Sequence, residues 1–182
     1  MPASASPASP KSTTDASRPV AAKTIAAPAR PARQAQLYLV AVAAFSLDRI
    51  TKALVQRDLQ LDVPHAVIGR IVYLTHTQNT GAAFSFGVSF GTFFMLLAAV
   101  VSAAIIVYNR RIPAGEIWLR VGLGLIMGGA LGNALDRAVS GSVTDFIDLR
   151  WWPVFNVADS SIVVGAVISS LRLSARADPA RG

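Results

Sequence analysis

Cysteine is absent from this sequence of 182 residues, and only two histidines and ten acidic residues are present. The absence of cysteine excludes disulfides and thiolate metal ligands. The histidines and carboxylates show no metal-binding spacing such as HExxH, so the sequence predicts neither a metal site nor a cofactor. Charged residues are also few, at 15% of the chain against 53% hydrophobic residues. That balance is too apolar for an ordinary soluble domain.

The N-terminal segment, residues 1–33, has the composition of a solvated tail. It is rich in Ala, Pro, Ser and Thr and shows no apolar periodicity, so it cannot bury enough surface to offset the entropy of ordering. We predict a disordered tail here. The segment also lacks the apolar region of a cleavable signal peptide.

Four apolar segments follow, and each has about the 20 residues that a helix needs to cross a bilayer. They cover residues 36–55, 90–108, 117–135 and 154–173. We therefore predict an all-α integral membrane protein with four transmembrane helices in a domain covering residues 34–175, followed by a short tail, 176–182. Buried helices of a soluble protein are the alternative, but the small amount of polar surface disfavours it.

The positive charges are distributed unevenly around these segments. Ten of the 17 Lys and Arg residues lie in the N-terminal tail, the 109–116 loop and the C-terminus, whereas the 57–89 and 138–153 connections hold three. By the positive-inside rule, both termini and the middle loop are cytoplasmic and the two longer connections face outward. The same distribution accounts for the net charge of +7 without a nucleic-acid partner.

The 57–89 connection is long for a loop of a helix bundle. Its segment VIGRIVYLTHT is rich in β-branched residues and is followed by QNTG. We interpret this pattern as short strands and a turn that form a small extracytoplasmic β-cradle. In the other outward connection, Trp151 and Trp152 precede the fourth segment, a position typical of side chains at the membrane–water interface.

Small residues recur every four positions in the last two apolar segments. The two rows are Gly124, Gly128 and Gly132, and Ser161, Gly165 and Ser169. This spacing places each row on one helix face and lets two helix backbones approach closely. We expect both rows to pack helices together and to take no part in chemistry.

Ionisable residues inside the predicted spans are costly, so each is a functional candidate by default. Asp48 and Lys52 lie four residues apart and share one helix face, either as an internal ion pair or as part of a site. Asn133, Asp136 and Arg137 share a face at the outer end of the third span. There Asp136 is expected to pair with Arg137 or Lys52, unless it belongs to the site itself.

Two further aspartates lie where the chain reverses on the outer side. Asp145 lies in the connection VTDFIDL, and Asp159 lies about one and a half turns into the fourth span. If helix packing brings them together, their carboxyl groups share a proton, since both cannot easily ionise in a partly dry site. Aspartic proteases use this arrangement, but ion-coupled transporters use similar pairs. No role beyond facing water is predicted for Asp148.

Five motifs in order along the chain resemble those of the lipoprotein signal peptidases (signal peptidase II), which are bacterial membrane aspartic proteases. The motifs are LDRITK (47–52), QNTGAAFSF (78–86), GGALGNALDR (128–137), VTDFIDL (143–149) and FNVADSSIVVG (155–165). The resemblance covers roughly residues 36–173 and does not include the N-terminal tail. The stretch between the two aspartates is short for the family.

The resemblance implies a particular reaction and site. The substrate would be a prolipoprotein whose cysteine already carries diacylglycerol, cleaved on the amino side of that cysteine at the bacterial inner membrane. Asp145 and Asp159 would be the catalytic pair, with no cofactor, and the cyclic peptide globomycin would inhibit them. The residues implied to line or brace the site are Asp48, Lys52, Asn79, Gly81, Asn133, Asp136, Arg137 and Asn156. Four helices surrounded by lipid suffice for a monomer.

Three other classes of membrane protein compete with this interpretation. An ion-coupled carrier would use the same carboxylates, but it would more naturally show repeated halves, and the sequence contains no internal repeat. Intramembrane proteases of the GxGD type are disfavoured because no aspartate follows Gly-x-Gly. A non-catalytic membrane scaffold would account for the glycine rows and leave the paired aspartates unexplained.

Overall fold

A computed structural model describes residues 30–80 and 90–177 of the protein. Four helices and three strands account for most of this part of the chain. In chain order they are α1 (Arg30–Asp58), β1 (Pro64–Ile68), β2 (Val72–Asn79), α2 (Phe90–Asn109), α3 (Ile117–Ser140), β3 (Val143–Asp148) and α4 (Val157–Ala177). Most of the predicted tail lies outside the described residues, so its disorder stays a prediction.

The helices lie where the apolar segments predict them, with different ends. α1 begins at Arg30 and so takes in residues 30–33, which the sequence assigns to the tail. α3 continues to Ser140, where Gly141 ends it in the left-handed conformation with a φ of 73°, a backbone state that glycine adopts without steric cost. α4 ends beyond residue 175, the predicted end of the domain.

Large apolar side chains cover the outside of the helices. Leu39 on α1, Leu96 and Val100 on α2, and Val163 on α4 are between 61% and 69% exposed. By length and hydropathy, three of the described helices could cross a membrane, namely α2, α3 and α4. α1 is longer than these three, but it carries several charged residues in its second half.

α3 is the centre of the bundle and packs against each of the other three helices. The predicted glycine row of α3 faces α1, since a Cβ on Gly128 would lie 2.4 Å from the backbone oxygen of Ala41. Two further glycines of α3, Gly122 and Gly129, face α4, and a Cβ on Gly165 of α4 would lie 2.4 Å from the Gly122 oxygen. The packing role predicted for the two rows is confirmed at these positions.

Gly128→Ala is expected to destabilise the protein, because the new methyl group would overlap the backbone of α1. Overpacking of this kind typically costs about 1–3 kcal/mol, which thermal unfolding in detergent micelles would detect as a lower Tm. Gly115→Ala is the matched control, since a Cβ there would meet nothing within 4 Å. Equal melting temperatures for the two variants would show that α1 and α3 are not in tight contact.

The three strands form one antiparallel sheet in the order β1-β2-β3. β1 and β2 form a hairpin in the 57–89 connection, where short strands are predicted, but its turn lies between Ile68 and Val72 and not at QNTG. The sequence does not predict β3, because residues 143–148 look like part of a connection, yet they pair with β2 and place Asp145 opposite Thr77. A bridge between β3 and Phe155 then joins the sheet to the chain just before α4.

Candidate active site

Asp145 is held on β3, between the sheet and the helices. Its side chain is only 3% exposed. Its Oδ1 accepts a hydrogen bond from Asn156 Nδ2 at 2.6 Å, and its Oδ2 accepts one from Asn79 Nδ2 at 3.0 Å. Two elements, the end of β2 and the segment before α4, therefore position this carboxyl group.

Asp159 lies in the first turn of α4 and closes a capping box with Asn156. The Asn156 Oδ1 accepts a hydrogen bond from the Asp159 N–H at 2.9 Å, and the Asp159 Oδ2 accepts one from the Asn156 N–H at 3.1 Å. Such reciprocal bonds satisfy N–H groups that a helix N-terminus leaves unpaired. The predicted position of Asp159, one and a half turns into a span, is wrong because α4 begins at Val157.

Asn156 joins the two aspartates. It is fully buried, and the Nδ2 atom that binds Asp145 also lies 3.1 Å from Asn133 Oδ1. Asn133 in turn donates a hydrogen bond from its Nδ2 to Asp159 Oδ1 at 2.7 Å. The two carboxyl groups are therefore bound to one pair of amide side chains, and the reversal of the chain between them brings both to the same site.

The surroundings of Asp145 favour its protonated form. Burial raises the pKa of this carboxyl group above its ordinary value, because removal from water penalises the charged form. The nearby negative charge of Asp159 raises the pKa of Asp145 further, and the hydrogen bonds from Asn79 and Asn156 offset only part of the increase. A carboxyl group of this kind suits a site where two acids share one proton.

Asp145→Asn is expected to gain stability relative to the wild-type protein as the pH rises. Below the pKa of the unfolded carboxyl group, Asp145 is protonated in both states and adds no pH dependence. As the pH rises towards the raised pKa of the folded state, the unfolded state loses its proton first, so the wild-type protein loses stability. An amide does not titrate, so the Tm difference, variant minus wild type, should widen as the pH rises above about 4, the ordinary pKa of an aspartate. A constant difference would contradict the raised pKa.

Lys52 is the centre of a second cluster beside the aspartates. Its ammonium group is fully buried and lies 2.9 Å from Asp48 Oδ2, 2.7 Å from Asp136 Oδ2 and 2.8 Å from Asn133 Oδ1. The predicted Asp48–Lys52 pair is confirmed, and Asp136 pairs with Lys52 and not with Arg137. Three acceptors surround the three N–H donors of the ammonium group, and burial of a lysine is costly without such partners.

Asp48 and Asp136 connect this cluster to other elements. Asp48 Oδ1 accepts a hydrogen bond from the Ala158 N–H, in the first turn of α4, at 3.1 Å. Asp136 Oδ1 pairs with Arg49 of α1. Arg49 is not among the site residues predicted from the sequence, although a charged residue within a predicted span is a functional candidate by default. The cluster therefore ties α1 and α3 to the helix end that carries Asp159.

A cleft of about 380 Å³ opens between α2, α3 and α4 beside Asp159. Its walls are mostly apolar and include Leu97, Val101 and Ile162. At one end of the cleft, the guanidinium group of Arg137 lies 5.0 Å from the centre of the Phe94 ring, a distance at which cation and ring attract. The cleft can accept an apolar segment from the side of the bundle and bring it to Asp159.

The prediction that Asp148 faces water is wrong. Its side chain is buried, and the carboxylate accepts hydrogen bonds from Thr75 Oγ1 at 2.8 Å and from the N–H and guanidinium groups of Arg150 at 2.8 and 3.1 Å. Burial alone would raise the pKa of Asp148, but these hydrogen bonds and the charge of Arg150 outweigh burial and lower it. Asp148 is therefore an ionised side chain that holds the end of β3 against β2.

Of the two predicted site residues at the end of β2 and just after it, the structure describes Asn79 but not Gly81. Asn79 is the last residue of β2 and contacts Asp145 directly, whereas Gly81 lies outside the described residues and its role stays a prediction. Within residues 30–80 and 90–177, no group of three or more His, Cys, Asp or Glu side chains is arranged to hold a metal ion.

A family model described as signal peptidase (SPase) II matches residues 40–174 of the chain. The chain belongs to the signal peptidase II family. A lipoprotein signal peptidase of Pseudomonas aeruginosa is 43% identical in an alignment of 141 positions, which covers 72% of this chain and 83% of that protein. A lipoprotein signal peptidase of Mycobacterium tuberculosis (strain H37Rv) is 40% identical in an alignment of 148 positions, which covers 78% of this chain and 72% of that protein.

Two solved structures, both described as bacterial membrane enzymes determined by the in meso method, share the fold. The first, at 2.3 Å, has a TM-score of 0.72 and 27% identity, and the match covers 81% of this chain and 92% of that chain. The second, at 1.9 Å, has a TM-score of 0.70 and 29% identity, covering 76% and 92%. The resemblance found in the sequence is confirmed. Membership of the signal peptidase II family implies a peptidase that removes signal peptides, and the apolar helices suit a multi-pass bacterial membrane protein.

Proposed function

We propose that this protein is an aspartic endopeptidase that removes the signal peptide from diacylglyceryl-modified prolipoproteins. Cleavage falls on the amino side of the lipidated cysteine. The observation that carries the proposal is the binding of Asp145 and Asp159 to one side chain, Asn156, beside an apolar cleft. The relatives called lipoprotein signal peptidase support prolipoproteins as the substrates.

The two carboxyl groups activate water and the scissile carbonyl group together. One is ionised and takes a proton from water as the water oxygen bonds to the carbonyl carbon, while the protonated one donates a hydrogen bond to the carbonyl oxygen. When the tetrahedral intermediate collapses, the C–N bond breaks and a proton passes to the cysteine nitrogen. Burial raises the pKa of Asp145, which supports a site in which the pair of carboxyl groups holds one proton.

The charge balance of the site supports a shared proton. The described side chains of the site are four carboxylates and three cations, namely Asp48, Asp136, Asp145, Asp159, Arg49, Lys52 and Arg137. With every group ionised, the site would hold one negative charge in excess, which is costly in an apolar environment. One proton on the Asp145–Asp159 pair makes the site neutral, and this is the protonation state that the mechanism needs.

The cleft suits a substrate that is itself held in the bilayer. Its apolar walls between α2, α3 and α4 match an acyl chain or the apolar part of a signal peptide, and its polar end holds Asn133, Arg137 and Asp159. A lipidated substrate can therefore enter sideways and place its scissile bond next to Asp159. Arg137 and Asn133 are placed to bind carbonyl groups of the substrate backbone at that end.

α1 crosses the membrane together with α2, α3 and α4, which gives four spans. Its charges do not argue against this, because Asp48 and Lys52 are fully buried and paired, whereas Leu39 and Ile50 are exposed on its outer surface. The distribution of Lys and Arg supports cytoplasmic termini. In this orientation the sheet and both catalytic aspartates lie at the outer side of the bacterial inner membrane, and the protein acts as a monomer.

A gel-mobility assay on a purified prolipoprotein that carries diacylglycerol tests the function. We expect loss of the signal peptide, a new N-terminus at the lipidated cysteine by mass spectrometry, and inhibition by globomycin. The control substrate has serine in place of that cysteine and so cannot be lipidated. Equal cleavage of the control, or a new N-terminus elsewhere, would overturn the proposed specificity.

A further inference from the structure

A second cavity, of about 560 Å³, lies at the end of the bundle opposite the aspartates. It is formed by the first turns of α1 and α3 and by the loop that connects α2 to α3. Four of the residues that line it are arginines, namely Arg33, Arg110, Arg111 and Arg120. No acidic residue is among the described residues that line the cavity, so its walls are strongly positive.

Arg120 is held in place with part of its guanidinium group unpaired. It is 2% exposed, and its terminal NH2 group donates hydrogen bonds to the carbonyl oxygens of Ile112 at 2.8 Å and Pro113 at 3.1 Å. Its Nε finds no hydrogen-bond acceptor among the described residues. A buried donor without a partner is costly, and an anion in the adjoining cavity would supply the missing acceptor and charge.

In the described part of the chain, no acidic side chain forms an ion pair with the arginines that line the cavity, although the charge of Glu116 partly offsets that of Arg120. Glu116 is the acidic residue near this end in the described part of the chain, and it pairs with Arg172 at 3.3 Å and Arg176 at 3.9 Å, both on α4. Arg33 and Arg120 are also close enough for their positive charges to repel each other. A bound anion would relieve this repulsion, and arginine is the cation best suited to phosphate oxygens because of its forked donors.

Helix ends of both polarities lie beside the cavity. α1 and α3 begin there, and their N-terminal ends attract anions, whereas α2 ends there at Asn109, and its C-terminal end does not. The preference for an anion therefore depends on the arginine side chains. Trp118, in the first turn of α3, is exposed, which is typical of a tryptophan at the membrane–water interface. Ile112 and Pro113 give the cavity an apolar wall beside its arginines.

We propose that this arginine-lined cavity binds a phosphate group, supplied by the headgroup of an anionic phospholipid. Basic pockets between transmembrane helices on the positively charged side of a membrane protein are suited to such headgroups. The site is separate from the peptidase site and occupies the opposite ends of the helices. Bound lipid would fix the first turn of α1 against the α2–α3 loop.

Thermal unfolding of the full chain in a neutral detergent tests this proposal without measuring cleavage. A ligand that binds only the folded state raises the Tm of the protein. Phosphatidylglycerol is titrated as the anionic lipid, phosphatidylcholine as the lipid without net charge, and inorganic phosphate as the soluble source of the same group. A rise in Tm with phosphatidylglycerol alone assigns the site to a lipid headgroup. A rise in Tm with inorganic phosphate and none with phosphatidylglycerol would assign the cavity to a soluble phosphate and would overturn the assignment to a lipid headgroup.

A double variant, Arg110→Gln with Arg111→Gln, tests whether the anionic lipid binds in the cavity or is attracted only by the overall positive charge of the protein. Both side chains are exposed, so their replacement should leave folding intact, whereas Arg120→Gln would also remove the bonds to the loop carbonyls. The matched control is Arg57→Gln with Arg70→Gln, which removes the same charge at the other end of the molecule.

We expect the affinity for phosphatidylglycerol to fall roughly 30-fold in the Arg110/Arg111 variant and to be unchanged in the control. Equal affinity in the two variants, or stabilisation by phosphatidylcholine as large as that by phosphatidylglycerol, would overturn the proposal.

Discussion

Asp145→Asn and Asp159→Asn are each expected to reduce cleavage of a diacylglyceryl prolipoprotein by about 1,000-fold or more. Positioned acid–base groups contribute about 100- to 10,000-fold each, and an amide can neither accept the proton of water nor donate one to the carbonyl oxygen as an acid does. The assay is the initial rate of cleavage by equal amounts of purified variants. Robust cleavage by either variant would remove that residue from the catalytic pair.

Asp148→Asn is the matched control for this experiment. Asp148 lies on the same strand as Asp145 and is also buried, but its carboxylate binds Thr75 and Arg150 away from Asn156. We expect this variant to lower stability and to keep cleavage within a few-fold of the wild-type rate. A loss of activity as large as that of Asp145→Asn would show that the strand needs the carboxylates for its structure.

Lys52→Met should have the largest effect on stability of any single change in the site. The substitution keeps a long side chain but leaves Asp48, which is fully buried, without its cation. It leaves Asp136 with the charge of Arg49 and the Thr144 N–H. Removal of one partner from a buried ion pair typically costs about 3–5 kcal/mol. Equilibrium or thermal unfolding in detergent micelles measures this loss.

Arg57→Met tests whether the effect belongs to the buried cluster. Arg57 lies on the same helix as Lys52, but it is 72% exposed and pairs with its neighbour Asp58, so we expect little or no loss of stability, because solvent screens an exposed ion pair. Adding Asp48→Asn to Lys52→Met should recover part of the lost stability, because the second change removes an unpaired buried charge. Additive losses in the double variant would contradict the pairing of Asp48 with Lys52.

The helices and the first ion pair could be predicted because their signals are local. A length of about 20 apolar residues marks a span, and the spacing of Asp48 and Lys52 places both on one face. The partner of Arg49 could not be predicted in the same way. Arg49 binds Asp136, which lies on another helix 87 positions along the chain, and only the packing of α1 on α3 brings the two together.

β3 could not be predicted from the sequence because both of its faces are buried. Strands are usually recognised from alternating apolar and polar residues, which needs one face in water. Here Val143, Thr144, Asp145 and Phe146 are all buried, so neither face of the strand is marked by polarity. Burial of this strand also explains why the prediction for Asp148 is wrong. Thr75 and Arg150 supply the hydrogen bonds that water was expected to supply.

The start of α4 could have been located more accurately. Asn156 and Asp159 stand three residues apart just before an apolar run, which is the spacing of a capping box. That signal places the first turn of the helix at Asp159, and it also shows that the catalytic candidate belongs to a helix end. The additional bond from Asn156 to Asp145 has no such local signal, because it depends on the position of β3.

Asn156 couples both aspartates to the first turn of α4. One end of its amide group closes that turn and the other end binds Asp145, so fraying of the turn would loosen both aspartates together and leave Asp145 with Asn79 and Asp159 with Asn133. We therefore expect the site to lose its alignment whenever this turn opens. The exchange rate of the Asp159 amide hydrogen would then measure how often a resting enzyme is unable to react.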